Sequence, residues 1–179
     1  MFNFDAVDLP INGARKFTMS RFEDHRGGLS TIWDSRLSQH QFVLDKFSSS
    51  NTGVFRGLHG DDKSTKHIAL LHGKIFFIIV DPNVVSNDGN LSCWFETIDA
   101  TQQTVAFEVG SGLLNGFYVY DGPAIFFYKW AFDGDYVDAD AQTTIFWDDP
   151  RLSHVPWPFT APILSSRDTS DSTTSRFTK

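Results

Sequence analysis

The stretch Lys66-His67-Ile68-Ala69-Leu70-Leu71-His72-Gly73-Lys74-Ile75-Phe76-Phe77-Ile78-Ile79-Val80-Asp81 decides the fold class. Its second half is an unbroken apolar run of β-branched and aromatic residues, closed by the turn residues Asp81-Pro82-Asn83, and reads as a buried strand. His72-Gly73 reads as a tight hairpin joining residues 75–81 to an earlier strand over 66–71. Working outward, extended segments recur at 41–48, 53–59, 91–98, 104–109, 116–120, 124–130 and 143–147. Glu23-Asp24-His25-Arg26-Gly27-Gly28 and Ser86-Asn87-Asp88-Gly89-Asn90 read as turns, and residues 34–40 are the best candidate for a short helix.

Short strands at this spacing, with little helical periodicity, predict an all-β sandwich or barrel with a few short helices. A closed or jelly-roll form would protect the edges of so many aromatic strands. The chain of 179 residues suits one domain, placed here at 1–164, with the Ser/Thr-rich segment 165–179 expected to be a loosely ordered tail. Aromatics reach 15%, with 18 phenylalanines, which favours strands and a β interior.

A net charge of −7 argues against a protein that tracks nucleic-acid phosphates, though a small pocket could still hold a nucleotide with two or three local cations. The single cysteine, Cys93, rules out an internal disulfide and points to a reducing cytoplasm. The sequence predicts neither a signal peptide nor a membrane span.

Val54-Phe55-Arg56-Gly57-Leu58-His59-Gly60 and Lys66 bring an arginine, a histidine and a lysine together just before the buried strand. Two cations around a potential base suit an anionic, carbonyl-bearing substrate. Taken singly, each has a structural reading: a hydrogen-bonded loop histidine, an ion-paired arginine, a solvated lysine. Strict alternation would also put Arg56 and His59 on opposite faces, so a shared site requires a bulge at Gly57 or Gly60. Along 124–130, alternation groups Phe126, Tyr128 and Trp130 on one face, turned inward.

In chain order, Phe22-Glu23-Asp24-His25-Arg26-Gly27, Arg56-Gly57-Leu58-His59, Thr65-Lys66, Leu114-Asn115-Gly116-Phe117, Phe127-Tyr128-Lys129, Phe146-Trp147-Asp148-Asp149-Pro150, Trp157-Pro158 and Ser165-Ser166-Arg167-Asp168 resemble the dTDP-4-dehydrorhamnose 3,5-epimerase family. That resemblance implies a cupin-like jelly-roll that inverts carbon 3, carbon 5 or both of a nucleotide-linked 4-keto sugar, with no metal or redox cofactor. It implies His59 as general base, Asp168 as its orienting carboxylate and Tyr128 as proton donor. Lys66 would sit by the carbon-4 oxygen, and Arg56 would hold the diphosphate or the oxyanion.

Phe22 and Arg26 look like the pair that reaches a nucleotide across a homodimer interface, and Asn115 falls at a substrate-binding position. Members acting on the rhamnose precursor commonly carry Ala-His-Gly-Phe where this chain has Leu114-Asn115-Gly116-Phe117. Asp45-Lys46-Phe47-Ser48 departs from the usual Asp-Asn-His/Tyr-Ser, and residues 60–66 resemble relatives that act on other sugars, including GDP-heptoses. The expected substrate is therefore a dTDP- or GDP-linked 4-keto sugar of cytoplasmic carbohydrate or surface-polysaccharide biosynthesis. Two rivals are an iron-dependent jelly-roll oxygenase using His59, Asp61 and His154, with Arg167 on a carboxylate co-substrate, and a non-catalytic sugar-binding domain.

Overall fold

The computed structural model describes residues 3–138 and 141–169. The strands, in chain order, are β1 Phe4–Asp8, β2 Ala14–Met19, β3 Arg21–Asp24, β4 Gly27–Ser30, β5 Leu44–Ser50, β6 Phe55–Gly60, β7 Thr65–Val85, β8 Leu91–Asp99, β9 Thr104–Val109, β10 Leu114–Ala131 and β11 Thr143–Thr144. Among the described residues the named helices are two short 3-10 turns, Ser35–Leu37 and Pro150–Leu152, each begun by an aspartate that accepts from the backbone N–H two residues on. The expected helix at 34–40 is only the first of these. No helix of the described residues is long and apolar enough to cross a membrane.

The architecture is an all-β jelly-roll built around two long strands. β7 and β10 pair antiparallel along almost their whole length, from Leu114↔Val80 to Ala131↔Thr65. The first part of β7 pairs with β9 and its later part with β8; the early part of β10 pairs with β6 and its later part with β5. Each long strand thus crosses from one sheet to the other. The first sheet runs β1-β2-β9-β7-β10-β5, and the second runs β8-β7-β10-β6-β11.

This corrects two expectations. His72-Gly73 is not a hairpin, and residues 116–120 and 124–130 are not separate strands. Gly73 has φ +96°, and a Cβ there would stand 2.8 Å from the Ala124 Cα. Opposite it, the β10 register shifts between Asp121 and Ile125, around a cis Gly122–Pro123 bond. Glycine at Gly73 serves a corner between sheets, where both strands bend together, rather than a reversal.

The run 75–80 is buried on both faces, as its continuous apolarity implies. Ile75, Phe77 and Ile79 join Ile68, Leu70, Phe107, Phe117 and Phe126 between the sheets. Phe76, Ile78 and Val80 face outward under Ile145, Leu152, Val155 and Trp157 of the C-terminal segment. His67, next to Lys66 on β7, is fully buried on the far face among Phe17, Trp33 and Phe42, and bonds through Nε2 to the Ile32 carbonyl at 2.8 Å. The proposed extended segment 143–147 shortens to β11. Cys93 is half-exposed, with its Sγ 3.2 Å from His154 Nε2.

The bulge foreseen near Arg56 is present. His59 pairs with Asn115 and Arg56 with Phe117, so three steps along β6 match two along β10. Gly57 absorbs the extra residue at φ +136°, and a Cβ there would lie 2.5 Å from the Gly116 Cα. Both the dihedral and the backbone approach therefore exclude a side chain. Gly57→Ala should cost about 3 kcal/mol and lower the melting temperature by roughly 6–12 °C. Thermal unfolding followed by circular dichroism, beside Gly89→Ala in an open loop, measures it.

Candidate active site

A cavity of about 290 Å³ opens at one end of the space between the sheets. The first sheet contributes Lys46 and Ser48 from β5, Lys66 from β7, and Tyr128 and Trp130 from β10; the second contributes Arg56 and His59 from β6, and Asn115 and Phe117 from β10. Tyr136, Gln142 and Arg167 complete the wall. The bulge at Gly57 brings Arg56 and His59 into one cavity despite their odd spacing.

His59 Nε2 lies 2.6 Å from Asp168 Oδ1, while His59 Nδ1 lies 3.0 Å from Thr144 Oγ1. Ser165 Oγ donates to Asp168 Oδ2 at 2.6 Å, and the Gly57 backbone N–H donates to the same carboxylate. Burial works to raise the Asp168 pKa, but the bonds from His59 and Ser165 outweigh it, so the group stays an anion below the usual carboxylate range. An ionised Asp168 can only accept, which puts the proton on Nε2 and leaves the lone pair on Nδ1. Burial lowers the His59 pKa; the bond to Asp168 opposes it, and the positive charges of Arg167 and Lys66 reinforce it. His59 is thus a neutral base at pH 7.

Tyr128 faces the cavity from the other sheet, its hydroxyl 3.3 Å from Ser48 Oγ. Burial raises the phenol pKa, against the Ser48 bond and the charge of Arg56, so it keeps its proton at neutral pH. Lys66 is 5% exposed; its Nζ donates to the His59 carbonyl and to Asn115 Oδ1, both at 3.3 Å, and lies 4.8 Å from the Trp130 ring centre. Burial pulls its pKa down to about 8, with Asp61 holding it up and Arg167 pushing it further down. Arg56 donates to Ser50 Oγ at 2.8 Å.

The structure therefore gathers His59, Asp168, Tyr128, Lys66, Arg56 and Asn115. Phe22 and Arg26 do not line this cavity. They sit on the β3–β4 hairpin, which forms a separate two-stranded sheet, with Arg26 paired to Asp24 at 2.6 Å. The segment 165–179 was expected to be a loose tail, yet Ser165 and Asp168 are built into the site; residues 170–179 lie outside the described residues.

The iron triad is not assembled: His154 bonds to Cys93, and Asp61 Oδ1 accepts from the backbone of Lys63 and Ser64. Among the described residues no three His, Cys, Asp or Glu side chains are grouped to hold a metal ion. Sequence reasoning missed Thr144, Ser165, Ser48 and Gln142, since single hydroxyls and amides in strands and loops carry no signal of their own. It weighed Arg167 only as part of the iron reading.

A buried His–Asp pair and a protonated phenol line one cavity together with a buried ammonium, a set of groups suited to acid–base chemistry. A family model described as dTDP-4-dehydrorhamnose 3,5-epimerase matches residues 8–175, and the chain belongs to that family of isomerases. The dTDP-4-dehydrorhamnose 3,5-epimerase of Escherichia coli K12 is 30% identical over 159 residues, covering 82% of each chain. That of Neisseria gonorrhoeae is 27% identical over 172 residues, covering 92% of this chain, which spans about half (51%) of that longer relative. The Bacillus anthracis enzyme of the same name, solved with TDP and PPi bound, superposes with a TM-score of 0.79 at 27% identity, covering 93% of this chain and 97% of that one.

The electrostatics predict a bell-shaped pH profile of kcat/KM. With His59 acting as a base and Lys66 as a stabilising cation, activity should rise with pH as His59 loses its proton below the ordinary histidine value of 6.5, and fall above about 8 as Lys66 loses its charge. The Arg167 charge lowers both pKa values, so Arg167→Gln should move both limbs to higher pH. A pH–rate series on both proteins reads the shift.

Proposed function

We propose that this protein epimerises a dTDP-linked 4-keto sugar at carbon 3, carbon 5 or both, with His59 as base and Tyr128 as acid. One observation carries this reading: the two groups enter a single cavity from opposite sheets, with Lys66 also lining it.

The 4-keto group acidifies the hydrogens on its neighbouring carbons. His59 Nδ1 takes one of them, and the C–H electron pair becomes an enolate with its charge on the carbon-4 oxygen. The Lys66 ammonium, itself buried, stabilises that charge. Tyr128 then delivers its proton from the other face and the centre inverts; exchange with solvent restores both groups. Asp168 holds the imidazole tautomer, Arg56 takes the diphosphate, and Asn115, bonded to Lys66, positions that ammonium.

In the same reading the chain works as a homodimer, with Phe22 and Arg26 reaching the partner's nucleotide. The β3–β4 hairpin supports this. Among the described residues it pairs with no other strand, and its Phe22 and Leu29 are 53% and 73% exposed.

Proton NMR of dTDP-4-keto-6-deoxyglucose in deuterated buffer with the purified protein tests the reading and identifies the carbon. Deuterium entering carbon 3 or carbon 5 with inverted product is the expected result. Unchanged substrate that still binds would leave a sugar-binding domain in its place.

A further inference from the structure

Behind the cavity wall lies a carboxylate that no step of the mechanism uses. Asp61 is 6% exposed and begins the turn 61–64, which joins β6, carrying His59, to β7, carrying Lys66. Its Oδ1 accepts from the backbone N–H groups of Lys63 and Ser64 at 3.0 and 2.6 Å. Its Oδ2 is buried and, among the described residues, has no hydrogen-bond partner. The turn is pinned from the other side, where the Gly112 N–H donates to the Asp61 carbonyl at 2.7 Å. Asp61 does not line the cavity that holds His59 and Tyr128. It lines a separate hollow of about 470 Å³ with Gly112, Leu114 and Thr143.

A buried carboxylate oxygen left unpaired is costly unless an opposite charge offsets it. Lys66 supplies that charge. It is 5% exposed, and its hydrogen bonds go to neutral acceptors, the His59 carbonyl and Asn115 Oδ1. Each element packed against it presents a different group: His59 from β6, Asn115 and Trp130 from β10, Arg167 from the C-terminal segment and Asp61 from the turn. In that set Asp61 is the anion and Arg167 a second cation, so the two act on Lys66 in opposite directions. The cavity wall itself carries Lys46, Arg56, Lys66 and Arg167 and no carboxylate among the described residues. Buried charges are screened little, so Asp61 reaches the ammonium through space without a hydrogen bond to it.

We propose that Asp61 is a positioning residue of the reaction, the counter-charge that holds Lys66 as an ammonium from behind the cavity wall. Its two oxygens divide the work. Oδ1 fixes the turn that delivers β7 and Lys66 into the wall, and the unpaired Oδ2 leaves the carboxylate's charge free to act on Lys66. Without it, a buried ammonium facing Arg167 would shed its proton at a lower pH and leave the enolate oxygen without a cation. The proposal rests on the epimerase reading for what the ammonium does, and not for the coupling of Asp61 to Lys66.

Carbon-13 NMR of the lysine side chains in the full chain tests this, with the Lys66 signal assigned by its loss in Lys66→Met. Asp61→Asn keeps the oxygen that accepts from Lys63 and Ser64 and loses the charge. Lys66 should then titrate roughly one pH unit below its wild-type value of about 8. The alkaline limb of the kcat/KM profile should move down with it, while the acid limb, set by His59, stays in place. Asp61→Ser, a smaller neutral acceptor, reads the same shift should Asp61→Asn fail to fold. An unmoved Lys66 titration in either folded variant would overturn the proposal, even with a lower melting temperature, because Asp61 would then serve the turn alone. A protein whose Lys66 shifts as expected yet exchanges no sugar hydrogen would fail the epimerase reading alone. An active epimerase whose Lys66 does not shift would fail the Asp61 proposal alone.

Discussion

His59→Ala should lose deuterium incorporation at the reacting carbon by about 10²–10⁴-fold, the contribution of a positioned general base, since no second base replaces it among the cavity-lining residues. Among the cavity-lining side chains His59 is the one with a lone pair poised below neutral pKa; Tyr128 stays protonated, and Lys66 is tied as an ammonium to the His59 carbonyl and Asn115. The fold should survive, because His59 is held by Asp168 and Thr144 at the cavity wall rather than within the apolar core. Wild-type exchange in a folded His59→Ala protein would remove the base from the mechanism. His59→Gln, which can still donate to Asp168, separates loss of the base from damage to that carboxylate.

Tyr128→Phe divides the reaction in two. Its hydroxyl is engaged by Ser48 and lies on the sheet opposite His59, so in the proposed mechanism it takes no part in removing the first proton. The variant should keep measurable exchange at the reacting carbon while inversion falls by about 10²–10³-fold, because His59 can only return a proton to the face it came from. Time-resolved NMR of substrate and product in deuterated buffer reports both rates together. Equal loss of exchange and inversion would show that the phenol also orients the sugar. The aromatic ring remains packed against Phe126 in the variant, so stability should change little.

Much of the fold was legible because burial dictates residue type. The apolar run 75–80 reads as a strand covered on both faces, and Ile75, Phe77 and Ile79 do lie between the sheets while Phe76, Ile78 and Val80 lie under the C-terminal segment. The expected strand at 104–109 coincides with β9. The reading failed at Gly73 and at Gly122-Pro123, where turn chemistry marks a corner between sheets. A bend and a reversal draw on the same residues, and only the partner strand tells them apart.

The candidate site divides in the same way. Arg56, His59 and Lys66 announced themselves by chemistry and proximity in the chain, and the need for a bulge between the first two followed from the two-residue period of a strand. Asp168 and Tyr128 could be joined to them only through family resemblance, because 109 residues separate Asp168 from His59 and no local rule spans that distance. Thr144, Ser165 and Ser48 were invisible, since a hydroxyl acquires a role only from what folding sets beside it.

The order of residues by itself determined that this chain would be an all-β protein with cations around a histidine, because periodicity and side-chain chemistry are local properties. Which strands cross between sheets, which polar side chains are buried in the cavity, and that His59 and Tyr128 line the same cavity were decided by tertiary structure alone. Those are relations between segments far apart in the chain, set by the pairing of β7 with β10 and by the core that closes around it.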